Sequence, residues 1–200
     1  MLHTLGVPDE YAVLDVLGFE PEVLCLVPKS TVGIIFLSPE AGPGEGIEDI
    51  PDGLYWMRQM VRDACGTVAL VHAVVNSSIV LKEDSILDKF VKKTRSLNPE
   101  ERGVALGEDS DFAAAHDSAA KEGSTSTSGE SYNTPHHYIA FVNSNGRLYE
   151  MCGSRVIDHG VTSEETFLSD AGKACQNKID LIKATNDSLE YGAVAISKIK

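Results

Sequence analysis

Two hundred residues, 42% of them hydrophobic, are enough for one sizeable core, so a single domain over residues 1–200 is expected. A 24% share of charged residues and a mean hydropathy of -0.08 exclude a chain disordered throughout, and no apolar run is long enough for a helix to cross a bilayer. The formal charge of -13 and the pI near 4.8 oppose nucleic acid or an anionic membrane as the main ligand and favour a basic partner.

The start, Met1-Leu2-His3-Thr4-Leu5-Gly6, has neither the basic nor the apolar stretch of an export signal, so the expected address is the cytoplasm, with the nucleus second. Cys25, Cys65, Cys152 and Cys175 are widely scattered, and none has zinc-finger spacing. Free thiols are therefore expected, without a metal or another cofactor.

Tyr11 to Leu17 alternates like a half-buried strand and ends at Gly18, before a short helix that opens near Pro21 and closes by Pro28. Val32 to Leu37 is a continuous apolar run, suited to a strand covered on both faces. Residues 40 to 53, with four glycines and two prolines, read as an irregular loop. Ala64 to Val75 is apolar almost all round and suggests a central buried helix, with a strand as the competing reading. Helical patterns follow at Ser85 to Ser96, Pro99 to Leu106 and Ser110 to Lys121.

Residues 122 to 135 are rich in Ser, Thr and Gly with one aromatic and no aliphatic anchor, and are expected to form a long mobile loop. His137 to Val142 and Arg147 to Met151 flank Asn143-Ser144-Asn145-Gly146, a strong hairpin signal because Asn-Gly tolerates positive φ. A helix from Ser163 to Ile182 and a strand from Ala193 to Ile199 complete the chain. Strands, then helices, then strands predict an α+β domain with a mostly antiparallel central sheet flanked by helices.

A cysteine at the first turn of a buried helix gains thiolate character from the helix N-terminus, and Cys65 holds that position. Gly66 lets a substrate backbone come close, and Gln59 is far enough upstream to turn its amide back toward Cys65. Most buried cysteines are inert, so the pattern needs a base. His136 and His137, where the loop enters a strand, are the candidates; an ordinary polar strand entry is the competing reading. His72 lies about two turns beyond Cys65 and reads as a satisfied core residue.

Gln59-Met-Val-Arg-Asp-Ala-Cys65-Gly-Thr-Val-Ala-Leu-Val-His-Ala closely resembles the signature of the ubiquitin carboxyl-terminal hydrolases. Asp15-Val-Leu-Gly-Phe-Glu-Pro-Glu, Leu26-Val-Pro28, Asn98-Pro-Glu-Glu-Arg102, His137-Tyr-Ile-Ala, Gly146-Arg-Leu-Tyr-Glu150 and His159-Gly-Val-Thr-Ser-Glu-Glu-Thr look like the same family, in the same order. The resemblance spans almost the whole chain. It implies a papain-like cysteine peptidase fold, a monomer, and ubiquitin or a ubiquitin-like protein as partner. It also implies Cys65 as nucleophile, His137 as acid/base, and Gln59 with the Cys65 backbone N–H as oxyanion donors. The Ser/Thr/Gly loop matches the family's crossover loop. The ubiquitin contacts carried over are Ala120, Lys121, Glu122, Gly123, Ser124, Thr125, Ser126 and Thr127, and then Ser188, Leu189, Glu190, Tyr191, Gly192 and Ala193.

Two departures stand out. Where the family ends its strand with an aspartate that orients the histidine, this chain has Cys152, and a neutral thiol is a poor acceptor. The resemblance therefore predicts impaired cleavage of small adducts, with a weakly active or inactive ubiquitin binder as the alternative. Asp158 is a possible substitute, and Cys152 with Cys65 a possible redox pair. The family also carries a strand and helix before the position of Leu2, which this sequence lacks; a less complete ubiquitin groove and an exposed sheet edge are the expectation.

Overall fold

The computed structural model describes residues 1–38, 46–122, 136–184 and 191–200. The elements are β1 (Tyr11–Asp15), α1 (Pro21–Leu24), β2 (Thr31–Ser38), α2 (Cys65–Val75), α3 (Ile86–Thr94) and α4 (Pro99–Glu108). They continue with α5 (Ser110–Glu122), β3 (His137–Ser144), β4 (Arg147–Met151), β5 (Val156–Val161), α6 (Phe167–Lys183) and β6 (Gly192–Lys198). The strands form one six-stranded sheet in the order β1-β6-β2-β3-β4-β5. Every neighbouring pair is antiparallel, as an α+β layout requires.

The sheet separates two cores. On one face α2 packs on β3 and β2, with every residue from Thr67 to Val74 buried, which accounts for its apolar character all round. The same core takes in Leu2, Leu5 and Val7 from the start of the chain and Leu87, Phe90, Leu106 and Phe112 from the helices. On the other face α6 covers Ile34, Phe36, Ile139 and Phe141. These strands alternate between two buried faces, so they read as continuous apolar runs.

Local signals set several boundaries. Asn98 and Glu101 close a capping box at the start of α4, and the Ser85 hydroxyl accepts from Asp88 N at the start of α3. The β3–β4 turn has φ 51° at Asn145 and 77° at Gly146, the left-handed pair of a tight hairpin.

Two features differ from the sequence reading. β5 was not foreseen: Val-Ile-Asp-His-Gly-Val lacks a clean alternation and becomes a strand by pairing with β4. The last helix begins at Phe167 and not at Ser163, because the Ser163 and Thr166 hydroxyls bond each other and each other's backbone N–H in a preceding turn. Glu122 ends α5, and residues 123–135, expected to be the long loop, lie outside the described residues.

Candidate active site

Cys65 opens α2 and is half-buried, ahead of a helix otherwise enclosed by the core. The preceding cap residue is Ala64, which makes no side-chain capping bond. First-turn N–H groups thus keep their capacity to donate to an oxyanion beside Cys65. Gly66 lies under the Tyr138 ring, where a Cβ would meet the ring at 3.4 Å, an ordinary van der Waals contact. That contact seats the start of β3 on the start of α2. Cys65 and His137 each directly precede one of these two residues, Gly66 and Tyr138, in the chain.

His137 is exposed, pairs with Ser38 across the sheet and follows the half-buried His136. Among the described residues neither the His137 nor the Cys65 side chain makes a hydrogen bond. Cys152 is buried at the end of β4, and its Sγ lies 3.2 Å from Ser154 Oγ. No hydrogen bond joins it to His137 among the described residues. Nor does Asp158 substitute for the missing carboxylate: Oδ2 accepts from Arg147 Nε at 2.8 Å and Oδ1 from Gly160 N at 2.8 Å. All four cysteines are free thiols.

Gln59 sits on a segment held from three sides. Its own N–H donates to Gly153 O at 2.8 Å, and Gly153 leaves no room for a side chain against Gln59 Cβ. Trp56 Nε1 donates to Cys152 O at 2.8 Å, so residues 56–59 run beside the end of β4. From α2, Asn76 accepts Tyr55 N at 2.7 Å and donates to Tyr55 O at 2.9 Å, while His72 Nε2 accepts Met57 N at 3.0 Å. From α4, Arg102 donates to Trp56 O at 2.8 Å and stacks 4.6 Å over the Tyr55 ring, and Gly103 packs directly on Arg58 O. The Gln59 amide donates to Val61 O at 3.0 Å, which leaves its second N–H for another acceptor.

Sequence reasoning missed this clamp. Its signal was a His-Asn pair four residues apart on an otherwise apolar helix, which places both side chains on one stripe. His72 is a core residue, as expected, but only half satisfied: Nδ1 has no partner among the described residues. Burial pushes its pKa down to about 3, aided by the Arg102 charge, and keeps it neutral.

A groove of about 310 Å³ lies beside Tyr138 and is lined by Ile35, Leu37, Gly192 and Ala193. Gly192 and Ala193 are two of the expected ubiquitin contacts. Tyr191, a third, is 40% exposed and stacks on Phe36. Ala120, Lys121 and Glu122 end α5, whereas residues 123–127 and 188–190 lie outside the described residues. A wider groove of about 570 Å³ runs between α1 and α6, on the sheet face away from α2, so size alone does not select the site. Among the described residues no group of three or more His, Cys, Asp or Glu side chains is placed to hold a metal ion.

A cysteine opening a buried helix against an antiparallel sheet is the architecture of a papain-like cysteine peptidase. The family model described as ubiquitin carboxyl-terminal hydrolase, family 1, matches residues 1–180, and the chain belongs to that family. It is 41% identical over 189 residues to a ubiquitin carboxyl-terminal hydrolase of Drosophila melanogaster, covering 88% of this chain and 83% of the relative. Ubiquitin carboxyl-terminal hydrolase isozyme L1 of Rattus norvegicus is 31% identical over 212 residues, covering 99% of this chain and 92% of the relative. Among solved structures, the Trichinella spiralis UCH37 catalytic domain bound to ubiquitin vinyl methyl ester superposes with a TM-score of 0.77. At 20% identity, covering 100% of this chain and 90% of that one, it shows the shared fold.

Proposed function

We propose that this protein is a thiol hydrolase that releases small adducts from the C-terminal glycine of ubiquitin or a ubiquitin-like protein, with a rate lowered by the thiol at position 152. The observation that carries the reading is the approach of Gly66, next to Cys65 on an uncapped helix N-terminus, to Tyr138, next to His137 at the start of β3. His137 takes the Cys65 proton, and the thiolate attacks the glycine carbonyl. The Cys65 N–H and the second Gln59 N–H receive the oxyanion. As the C–N bond breaks, His137 returns its proton to the leaving amine, and water then hydrolyses the thioester. The charge of -13 draws in ubiquitin's basic tail.

Incubation with ubiquitin vinyl methyl ester tests this directly. A covalent adduct mapped to Cys65 by mass spectrometry, and absent in Cys65→Ala, is the expected outcome. The second reading, a family member that binds ubiquitin without turnover, is favoured by the Cys152 thiol lying against Ser154. Binding seen by calorimetry with no adduct would establish it in place of the hydrolase.

A further inference from the structure

Glu150 is a carboxylate at a position of β4 whose neighbours on the same face are apolar. Leu148 and, just past the strand, Cys152 belong to the core under α6, and Glu150 alternates onto that face between them. Its side chain is only 5% exposed, and its two oxygens go to different elements. Oε1 lies 2.8 Å from Nζ of Lys178 on α6, itself a buried side chain, and Oε2 lies 3.0 Å from Nε2 of His159 on β5. The His159 ring in turn packs on Phe141 of β3, with 6.0 Å between centroids. Burial pushes the Glu150 carboxyl up, but His159 and Lys178 outweigh it and hold the group below its ordinary range, so it is ionised. Cys175, fully buried on the same helix as Lys178, stays a neutral thiol because burial and the Glu150 charge push it well up.

A buried ion pair contributes little net stability, because desolvation of both charges offsets their attraction and an apolar pair of similar volume does as well. What it adds is placement. An apolar side chain packs over a range of positions, whereas a carboxylate with one oxygen for each of two partners has a single seat.

That seat lies where β4 meets the Gln59 segment. Met151 is the last residue of the β4 ladder, paired with Ala140 and Val156, and Asn76 Nδ2 reaches its sulfur at 3.7 Å from the α2 side. Cys152 and Gly153 follow outside the ladder, and their carbonyls accept Trp56 Nε1–H and Gln59 N–H, each at 2.8 Å. A displacement of Glu150 therefore passes along the strand into the segment that carries the Gln59 amide. We infer that Glu150, seated between Lys178 and His159, is a positioning residue for Gln59, acting through the Cys152–Gly153 end of β4. The assignment rests on the proposed hydrolase reading, in which Gln59 receives the oxyanion, and extends it to residues on the α6 face of the sheet.

Glu150→Gln combined with Lys178→Met removes both charges together, so neither is left stranded in the core. In the full, 15N-labelled chain this pair variant should shift the indole resonance of Trp56, the chain's only tryptophan, and the backbone amide of Gln59. It should lower kcat for a ubiquitin amide about tenfold with KM changed less than about twofold, because a displaced oxyanion donor acts on the transition state. With Gln59→Ala already present, the pair variant should slow the reaction by less than about twofold more, since both changes remove the same contribution. A network that only stabilises the fold would slow the enzyme equally with and without Gln59. Lys178→Met alone leaves Glu150 its His159 partner and gives a smaller change of the same kind, so the test does not depend on the pair variant folding. Unmoved resonances, or equal slowing in the two backgrounds, overturn the assignment. A wild-type chain that neither labels with ubiquitin vinyl methyl ester nor turns over overturns the hydrolase reading instead, and the two resonances still decide whether Glu150 places Gln59.

Discussion

The two halves of the candidate site are built to different standards. Around Cys65 and Gln59, hydrogen bonds from α2, α4 and the end of β4 hold each residue from Tyr55 to Gln59 in place. Around the His137 side chain there is no such frame among the described residues: the position due to orient it carries a thiol that lies against Ser154. On the proposed reading, attack and oxyanion binding start from a fixed geometry, whereas proton transfer depends on an imidazole that no carboxylate bonds among the described residues. In that reading the lowered rate belongs to the proton-transfer half.

The sharpest way to break that contrast is Cys152→Asp. A carboxylate there has the Ser154 hydroxyl as a ready donor, and it would hold the tautomer and the protonated form of His137. Loss of such a group costs about 10⁴ in kcat in a serine protease, so a gain of order 10³ in kcat, with KM little altered, is expected on restoring it here. Steady-state cleavage of a fluorogenic ubiquitin amide measures it. Equal kcat in the two proteins would mean that His137 is oriented by something else.

How much of this was legible in the sequence depends on how far apart the partners are. The α4 cap, the Asn145-Gly146 hairpin and the buried α2 are written within a few consecutive residues and were readable. The clamp joins Asn76 to Tyr55 over 21 residues and Trp56 to Cys152 over 96, and no local pattern announces such pairs. β5 failed for the same reason, since its identity comes from β4 and not from its own alternation. Cys65 and Gln59 were suggested by their place around a helix start and His137 as one of two strand-entry histidines, while their separate roles came from the family resemblance; the approach of Tyr138 to Gly66 was not readable from the sequence.

On the ordered side of the comparison, Asn76→Ala should have the next largest effect. It strands the Tyr55 N–H and C=O in the core and frees the segment that carries Gln59. Two buried backbone groups left unpaired predict a loss of about 3 kcal/mol in urea unfolding. Labelling of Cys65 by the ubiquitin probe should slow as well, below the melting transition. Unchanged stability would show that the clamp is redundant.

The smallest effect sharpens the same point through pH. His72 has a folded pKa of about 3 against 6.5 when exposed, because it is fully enclosed and lies near the Arg102 charge. The unfolded chain therefore binds a proton that the folded chain refuses. Its contribution to stability is complete above pH 6.5 and is lost as pH falls toward 3. Between pH 6.5 and 5, where carboxylates remain ionised in both states, the loss should be about 1.5 kcal/mol. His72→Gln keeps an acceptor for Met57 without a titrating ring, and its urea midpoint should hold steady over that window. A wild-type midpoint just as flat would place the imidazole in contact with solvent and loosen the half of the site that the hydrogen bonds hold firm.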